Sequence, residues 1–208
     1  MQLRFATGLT SEEYVKQEGW RFATLKQCPL HPRGGCGFAR HTAYVRAQPA
    51  GALVARYYCP QGHTTFSLLP DCLAARLSSS LADVEAVCTA AATGSGRSQE
   101  AIAEELRPDI QRQGALRWMR RRVRAVTAAL VAVIGLRPDV FAGRQPTVED
   151  FRKVLGVEHV LAALRELAAG HLAALPPPLG FGPRAIPRPP AIRQRQQKAG
   201  ADPPRRQA

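Results

Sequence analysis

Side chains that can bind a metal ion are concentrated between residues 28 and 63. They form two groups: Cys28, His31, Cys36 and His41 in the first, and Cys59 and His63 in the second. Structural zinc is held by four nitrogen or sulfur ligands in a tetrahedron. We favour Cys28, Cys36, Cys59 and His63 as the ligands, with His31 and His41 as alternatives.

The first group can supply its ligands in two ways. Cys28 and His31 have the two-residue gap that is usual in zinc-binding turns, whereas Cys28 and Cys36 would be bridged by a longer Pro/Gly loop. Cys36 is followed by Gly37, and a glycine after a ligand is common where backbone amides turn toward the sulfur. The alternative without metal is that these residues are reduced thiols and surface histidines. Cys72 and Cys88 lie on apolar helical faces and are expected to be core thiols.

A small strand-rich module frames these ligands. Three segments favour strands because they are rich in β-branched and aromatic residues: 41–46, 53–58 and 64–69. Residues 48–51 favour a turn between the first two strands. Residues 28–70 contain few large apolar side chains, so a hairpin of this size would need a metal ion for stability. We therefore predict a zinc-ribbon-like module over residues 28–70, preceded by a lead-in segment over residues 1–27.

Several motifs in this region resemble the zinc ribbon at the front of bacterial insertion-sequence transposases and related proteins. These motifs are Cys36-Gly37, His41-x-x-Tyr44-x-Arg46, Arg56-Tyr-Tyr-Cys59 and Thr65-Phe66-Ser67-Leu-Leu-Pro70. The resemblance covers about residues 28–125 and implies a ribbon followed by a helix-turn-helix. The chain departs from the usual pattern in its second turn, where Gly62 stands in place of a second cysteine.

The pattern becomes helical after Pro70. We predict a short helix over 71–77, a helix from the Ser80 N-cap to about residue 93, and one from the Ser98 N-cap to about residue 107. A long helix follows over 113–136, and a last one runs from Thr147 to about residue 175, broken at Gly156. The predicted fold class is therefore α+β, in which the zinc-ribbon-like β-hairpin module precedes an all-α, helix-turn-helix-like domain over residues 71–175.

The long helix is rich in arginine. Six arginines and no acidic residue occur between residues 112 and 124: Arg112, Arg117, Arg120, Arg121, Arg122 and Arg124. Four of them, Arg117, Arg120, Arg121 and Arg124, share one helical face by their three- and four-residue spacing. Such a face can contact nucleic-acid phosphates. The alternative is a solvated basic surface that binds nothing.

The charge of the whole chain agrees with a polyanionic partner. The chain has 208 residues, a formal net charge of +13 and a pI near 10.6. Residues 176–208, a Pro/Arg-rich segment, contribute +6 of that charge, and their composition predicts a disordered tail. We find no signal peptide and no apolar run long enough to span a bilayer, so we expect a cytoplasmic protein.

The leading hypothesis is a non-catalytic DNA-binding protein of mobile-element type with a structural zinc ion. A transposase or integrase is a candidate protein partner. A transposase activity is less favoured, because its usual catalysis needs three carboxylates on a mixed-sheet domain. The acids after residue 110 have no strand pattern near them. The other alternative is a protein-interaction module or dimeric adaptor, with residues 155–175 as the docking or homodimer helix.

Overall fold

The computed structural model describes residues 1–94 and 96–182. It contains four strands: β1 (Gln2–Phe5), β2 (Ala39–Val45), β3 (Leu53–Cys59) and β4 (Thr64–Pro70). Its helices are α1 (Ser11–Lys16), α2 (Leu81–Thr93), α3 (Gln99–Leu106), α4 (Arg112–Leu136), α5 (Pro138–Phe141), α6 (Val148–Leu155) and α7 (Val160–Leu167). Short 3-10 turns occupy Gly19–Arg21 and Ala169–His171. The mixed α+β class predicted from the sequence is confirmed.

The strands form one sheet in the order β1-β4-β3-β2. The three strands predicted between residues 41 and 69 correspond to β2, β3 and β4, which pair antiparallel in sequence order. The lead-in segment over residues 1–27 has no predicted strand, yet it contains β1. This strand pairs parallel with β4, with Leu3 opposite Leu68. A four-residue strand whose partner lies more than sixty residues away leaves no hairpin signal in the sequence.

The helix predicted over residues 71–77 is absent, and this prediction was wrong. The segment forms turns closed by an isolated bridge between Leu73 and Ser80. Several of its carbonyl groups accept hydrogen bonds from arginine side chains and not from the amides of a helix. The guanidinium group of Arg46, which follows β2, donates to the carbonyl oxygens of Ala74 (3.1 Å) and Leu77. These tertiary hydrogen bonds override the local helical pattern.

A second buried arginine also donates hydrogen bonds to this segment. Arg165 of α7 donates to the carbonyl oxygens of Asp71 at 2.9 Å and Leu73 at 2.6 Å. It also donates to those of Pro178 at 2.5 Å and Leu179 at 3.0 Å. Burial lowers the pKa of Arg165 to about 10. The group therefore remains charged at neutral pH, with backbone carbonyls supplying its hydrogen-bond acceptors.

The helix ends predicted from capping residues are confirmed. Ser80 caps α2 in a reciprocal arrangement with Asp83, and Ser98 caps α3. Thr147 caps α6, which ends at Gly156 in the left-handed conformation. The main core joins α2, α4, α6 and α7, and a smaller cluster lies between α3 and α4. Among the helices that the structure describes, none is long and apolar enough to cross a membrane.

Residues 176–182 pack against the helical core, although they belong to the segment predicted to be disordered. Leu179 is fully buried. The amide of Phe181 donates to the carbonyl of Leu172 at 2.7 Å, and that of Ala75 donates to Pro178 at 3.0 Å. Composition missed this because the prolines and Leu179 bury their surface against residues distant in sequence. The rest of the predicted tail, 183–208, lies outside the described residues.

Candidate metal centre and arginine face

Four of the six sequence-predicted ligand residues lie together. The ligand atoms of Cys28, His31, Cys36 and Cys59 all fall within 4.8 Å of one another. Cys59 is the last residue of β3, and the other three belong to the loop that precedes β2. The three cysteines are buried and unpaired. These four residues can hold a metal ion.

The position of His31 follows from a tight turn that begins at Cys28. The amide of His31 donates to the carbonyl of Cys28 at 3.2 Å, which closes the turn. The imidazole Nδ1 then lies 3.6 Å from Sγ of Cys28 and 3.3 Å from Sγ of Cys59. Metal–ligand bonds of about 2.3 Å for sulfur and 2.0 Å for nitrogen place tetrahedral S and N ligands about 3.5 Å apart. The observed separations fit that geometry.

A second turn follows Cys59 and contacts its sulfur. The amide of Gly62 donates to Sγ of Cys59 at 3.3 Å. A Cβ atom at position 62 would lie 3.4 Å from that sulfur and 3.6 Å from Cε1 of His31. Position 62, where the resembling ribbons carry a cysteine, therefore faces the candidate site.

His63 and His41 lie outside the four-residue group. His63 has a positive φ of 44°, and its Nδ1 lies 3.4 Å from the hydroxyl of Tyr58. The ring of His41 lies 5.8 Å from the ring of Tyr58. The structure thus places His31, our alternative ligand, where the favoured set had His63. The Cys28-x-x-His31 spacing was the sequence signal for this arrangement.

The surroundings of the cysteines are apolar and affect their acidity. The three cysteines share a core cluster with Tyr57 and Phe66. Burial raises the pKa of Cys28, but hydrogen bonds with the His31 side chain and with backbone amides outweigh it, so the pKa falls to about 7. Burial raises the pKa of Cys59. The thiolate form that binds metals is therefore more accessible at Cys28 than at Cys59.

The first half of α4 presents an exposed arginine face, which we define as Arg117, Arg120, Arg121 and Arg124. All four side chains are exposed and together line a shallow groove. Within residues 1–94 and 96–182, none of them forms a salt bridge. Nε of Arg120 donates to the side-chain oxygen of Gln99 at 3.3 Å. The shared face predicted from the spacing is present in the structure.

The other two arginines of the predicted nucleic-acid-binding set do not belong to this face. Arg122 is buried, donates to Oγ of Ser79 at 3.1 Å and lies 3.9 Å over the ring of Trp118. Burial, with nearby arginines, lowers its pKa to about 10. Arg112 is exposed and pairs with Glu104 at 3.0 Å. Arg122 is therefore a packing residue, because it lies on the side of α4 opposite Arg120.

Comparisons of the chain with protein-family models, with curated proteins and with solved structures gave no significant match.

Proposed function

We propose that Cys28, His31, Cys36 and Cys59 bind one structural zinc ion. Three thiolates and one imidazole make a donor set that suits zinc, and a complete set of four protein ligands is the mark of a structural site. The proposal is supported by the sulfur–nitrogen separations of 3.3 and 3.6 Å. The ion would tie the loop before β2 to the end of β3 and so stabilise a small strand module.

We further propose that the protein is non-catalytic and binds DNA through the exposed arginine face. The observation that carries this proposal is the set of four exposed guanidinium groups on one side of α4, without carboxylate partners in the described chain. Arginines in this arrangement can each neutralise a phosphate group. The packing of α3 against α4 supports a helix-turn-helix-like use of this region, with α4 against the DNA.

The test is the salt dependence of binding to duplex DNA. Each neutralised phosphate releases counterions, so the logarithm of the affinity falls with the logarithm of the salt concentration. A variant with glutamine at all four positions of the exposed arginine face should make this negative slope shallower by roughly 3 to 4 units, at ~0.9 per contact. Fluorescence anisotropy at several salt concentrations would measure it.

A matched control removes the same amount of charge from other exposed positions. The control substitutions to glutamine are at Lys16, Lys26, Arg33 and Arg144, which are exposed and form no salt bridge among the described residues. We expect this variant to keep the wild-type slope to within about one unit. Equal slopes for the wild type and for the face variant would contradict the proposal. Equal reductions in the two variants would show that only net charge matters.

A further inference from the structure

A cavity of about 360 Å³ opens beside the arginine face, between α2, α4 and the start of α6. Its floor is apolar and belongs to the cores of the protein, with the buried side chains of Met119, Val126 and Val148. The volume is at the lower end of the range for small-molecule sites, which is about 300 to 1,000 Å³. The cavity therefore suits a small ligand with an apolar body.

The rim of the cavity is cationic. Arg120 and Arg124, four residues apart on α4, both line it. Arg124 has no carboxylate partner among the residues that the structure describes, and Arg120 donates only to an amide oxygen. The acid on the opposite wall, Glu149, is already paired with Lys153 at 2.8 Å. An anionic group at the mouth would thus meet two guanidinium groups that have no carboxylate partner among the described residues and can donate hydrogen bonds to it.

The thiol in the wall does not suggest a reaction. Burial, and secondarily the carboxylate of Glu85, raise the pKa of Cys88 to about 12. The thiol therefore stays protonated at neutral pH and is a poor nucleophile. The buried thiol therefore serves as part of the cavity wall.

We propose that this cavity binds a small amphipathic carboxylate, such as a medium-chain fatty acid, with its apolar chain against Met119 and Val126 and its carboxylate between Arg120 and Arg124. The apolar floor requires a hydrophobic body, because a purely polar anion would leave that surface uncovered. The two arginines require a negative head group, and guanidinium–carboxylate hydrogen bonds are among the stronger ones in proteins.

This inference goes beyond the proposed DNA binding and makes one statement that rests on it. Arg120 and Arg124 belong both to the cavity rim and to the exposed arginine face. A carboxylate bound there occupies two of the four arginines that would contact phosphate groups. Ligand binding should therefore weaken DNA binding and make its salt dependence shallower.

The experiment is calorimetric titration of the full chain with three probes. Octanoate has both features, 1-octanol has the apolar body without the charge, and acetate has the charge without the body. We expect octanoate to bind at least about tenfold more tightly than either of the other two. Equal affinities for octanoate and octanol, or no binding of octanoate, would overturn the proposal.

Three variants locate the site. Replacing Arg120 and Arg124 by glutamine should weaken octanoate at least about tenfold. Replacing Arg117 and Arg121, which lie on the same helix but outside the cavity, should change its affinity less than about twofold. Thr127→Phe places a ring at the mouth from an exposed helical position and should abolish binding. Unchanged octanoate binding by the Thr127→Phe variant would place the ligand elsewhere and refute the assignment.

A DNA titration with and without octanoate separates the two proposals. Octanoate binding with unchanged DNA affinity would refute the competition alone. A wild-type protein that binds octanoate but no DNA would refute the proposed function and leave the cavity assignment supported. A protein that binds DNA but no octanoate would refute the cavity assignment alone.

Discussion

Nδ1 of His31 lies 3.3 Å from Sγ of Cys59, although 28 residues separate them in sequence. The contact joins the loop before β2 to the end of β3, and Cys28 and Cys36 complete the group around it. A metal ion bound there would add a cross-link between two parts of the strand module that already share an apolar cluster.

We expect the purified protein to contain about one zinc ion per chain, because a closed structural site binds a single ion. His31→Ala should reduce the zinc content strongly, since it removes one of four ligands. His63→Ala is the matched control and should leave the zinc content unchanged, because the ring of His63 contacts Tyr58 and lies outside the ligand group. Elemental analysis of carefully prepared protein measures both. Loss of zinc from the His63 variant, with retention in the His31 variant, would reverse the ligand assignment.

A ligand supplied at position 62 should replace His31. The Cβ of a residue there would lie 3.4 Å from Sγ of Cys59, and its closest neighbour, Cδ1 of Leu30, belongs to a half-exposed side chain that can move. We expect the double variant His31→Ala/Gly62→Cys to recover close to one zinc per chain. The control double variant, His31→Ala/Gly135→Cys, adds a thiol at an exposed position of α4 and should recover no zinc. Equal zinc contents in the two double variants would show that position 62 does not face the metal.

Adjacent arginines on α4 should behave differently in DNA binding. Arg121→Gln removes an exposed charge and should lower the salt slope by ~0.9. Arg122→Gln removes a buried group that contacts Ser79 and Trp118, so the slope should stay at the wild-type value in protein that circular dichroism shows to be folded. Parallel anisotropy titrations of the two single variants make the comparison. A lower slope for Arg122→Gln alone would mean that another face of α4 meets the DNA.

Residues 176–182 should contribute measurably to stability. A chain ending at residue 175 lacks the buried Leu179 and two of the carbonyl groups that bind Arg165. Compared with a chain ending at residue 182, we expect it to lose at least about 3 kcal/mol of unfolding free energy. That loss lowers Tm by roughly 6–12 °C. Calorimetry or circular dichroism of the two truncated proteins tests this, and equal Tm values would show that the packing of this segment is unimportant.

Local signals in the sequence predicted much of this fold. The capping residues Ser80, Ser98 and Thr147 marked helix starts correctly, because a cap acts on amides only two or three positions away. The spacing of Arg117, Arg120, Arg121 and Arg124 indicated one face, because residues three and four positions apart are neighbours on a helix surface. Grouping Arg122 with them relied on the absence of acids, which carries no information about direction.

The other errors concern contacts between distant parts of the chain. β1 depends on β4, the connector over 71–80 depends on Arg46 and Arg165, and residues 176–182 depend on the same Arg165. The choice between His31 and His63 depends on which histidine lies beside the sulfur of Cys59, and His31 is 28 positions away from it in sequence. Periodicity and composition do not encode such relationships, so the predictions at these places relied on local patterns that tertiary hydrogen bonds override.

The connector over 71–80 accepts hydrogen bonds from two buried arginines, Arg46 just after β2 and Arg165 in α7. If the strand module or the helices unfolded alone, a buried guanidinium group or the carbonyls that bind it would lose their hydrogen-bond partners. The two parts should therefore melt as one cooperative unit. An ion held at Cys28, His31, Cys36 and Cys59 would, by linkage, also stabilise the helix that displays the arginines.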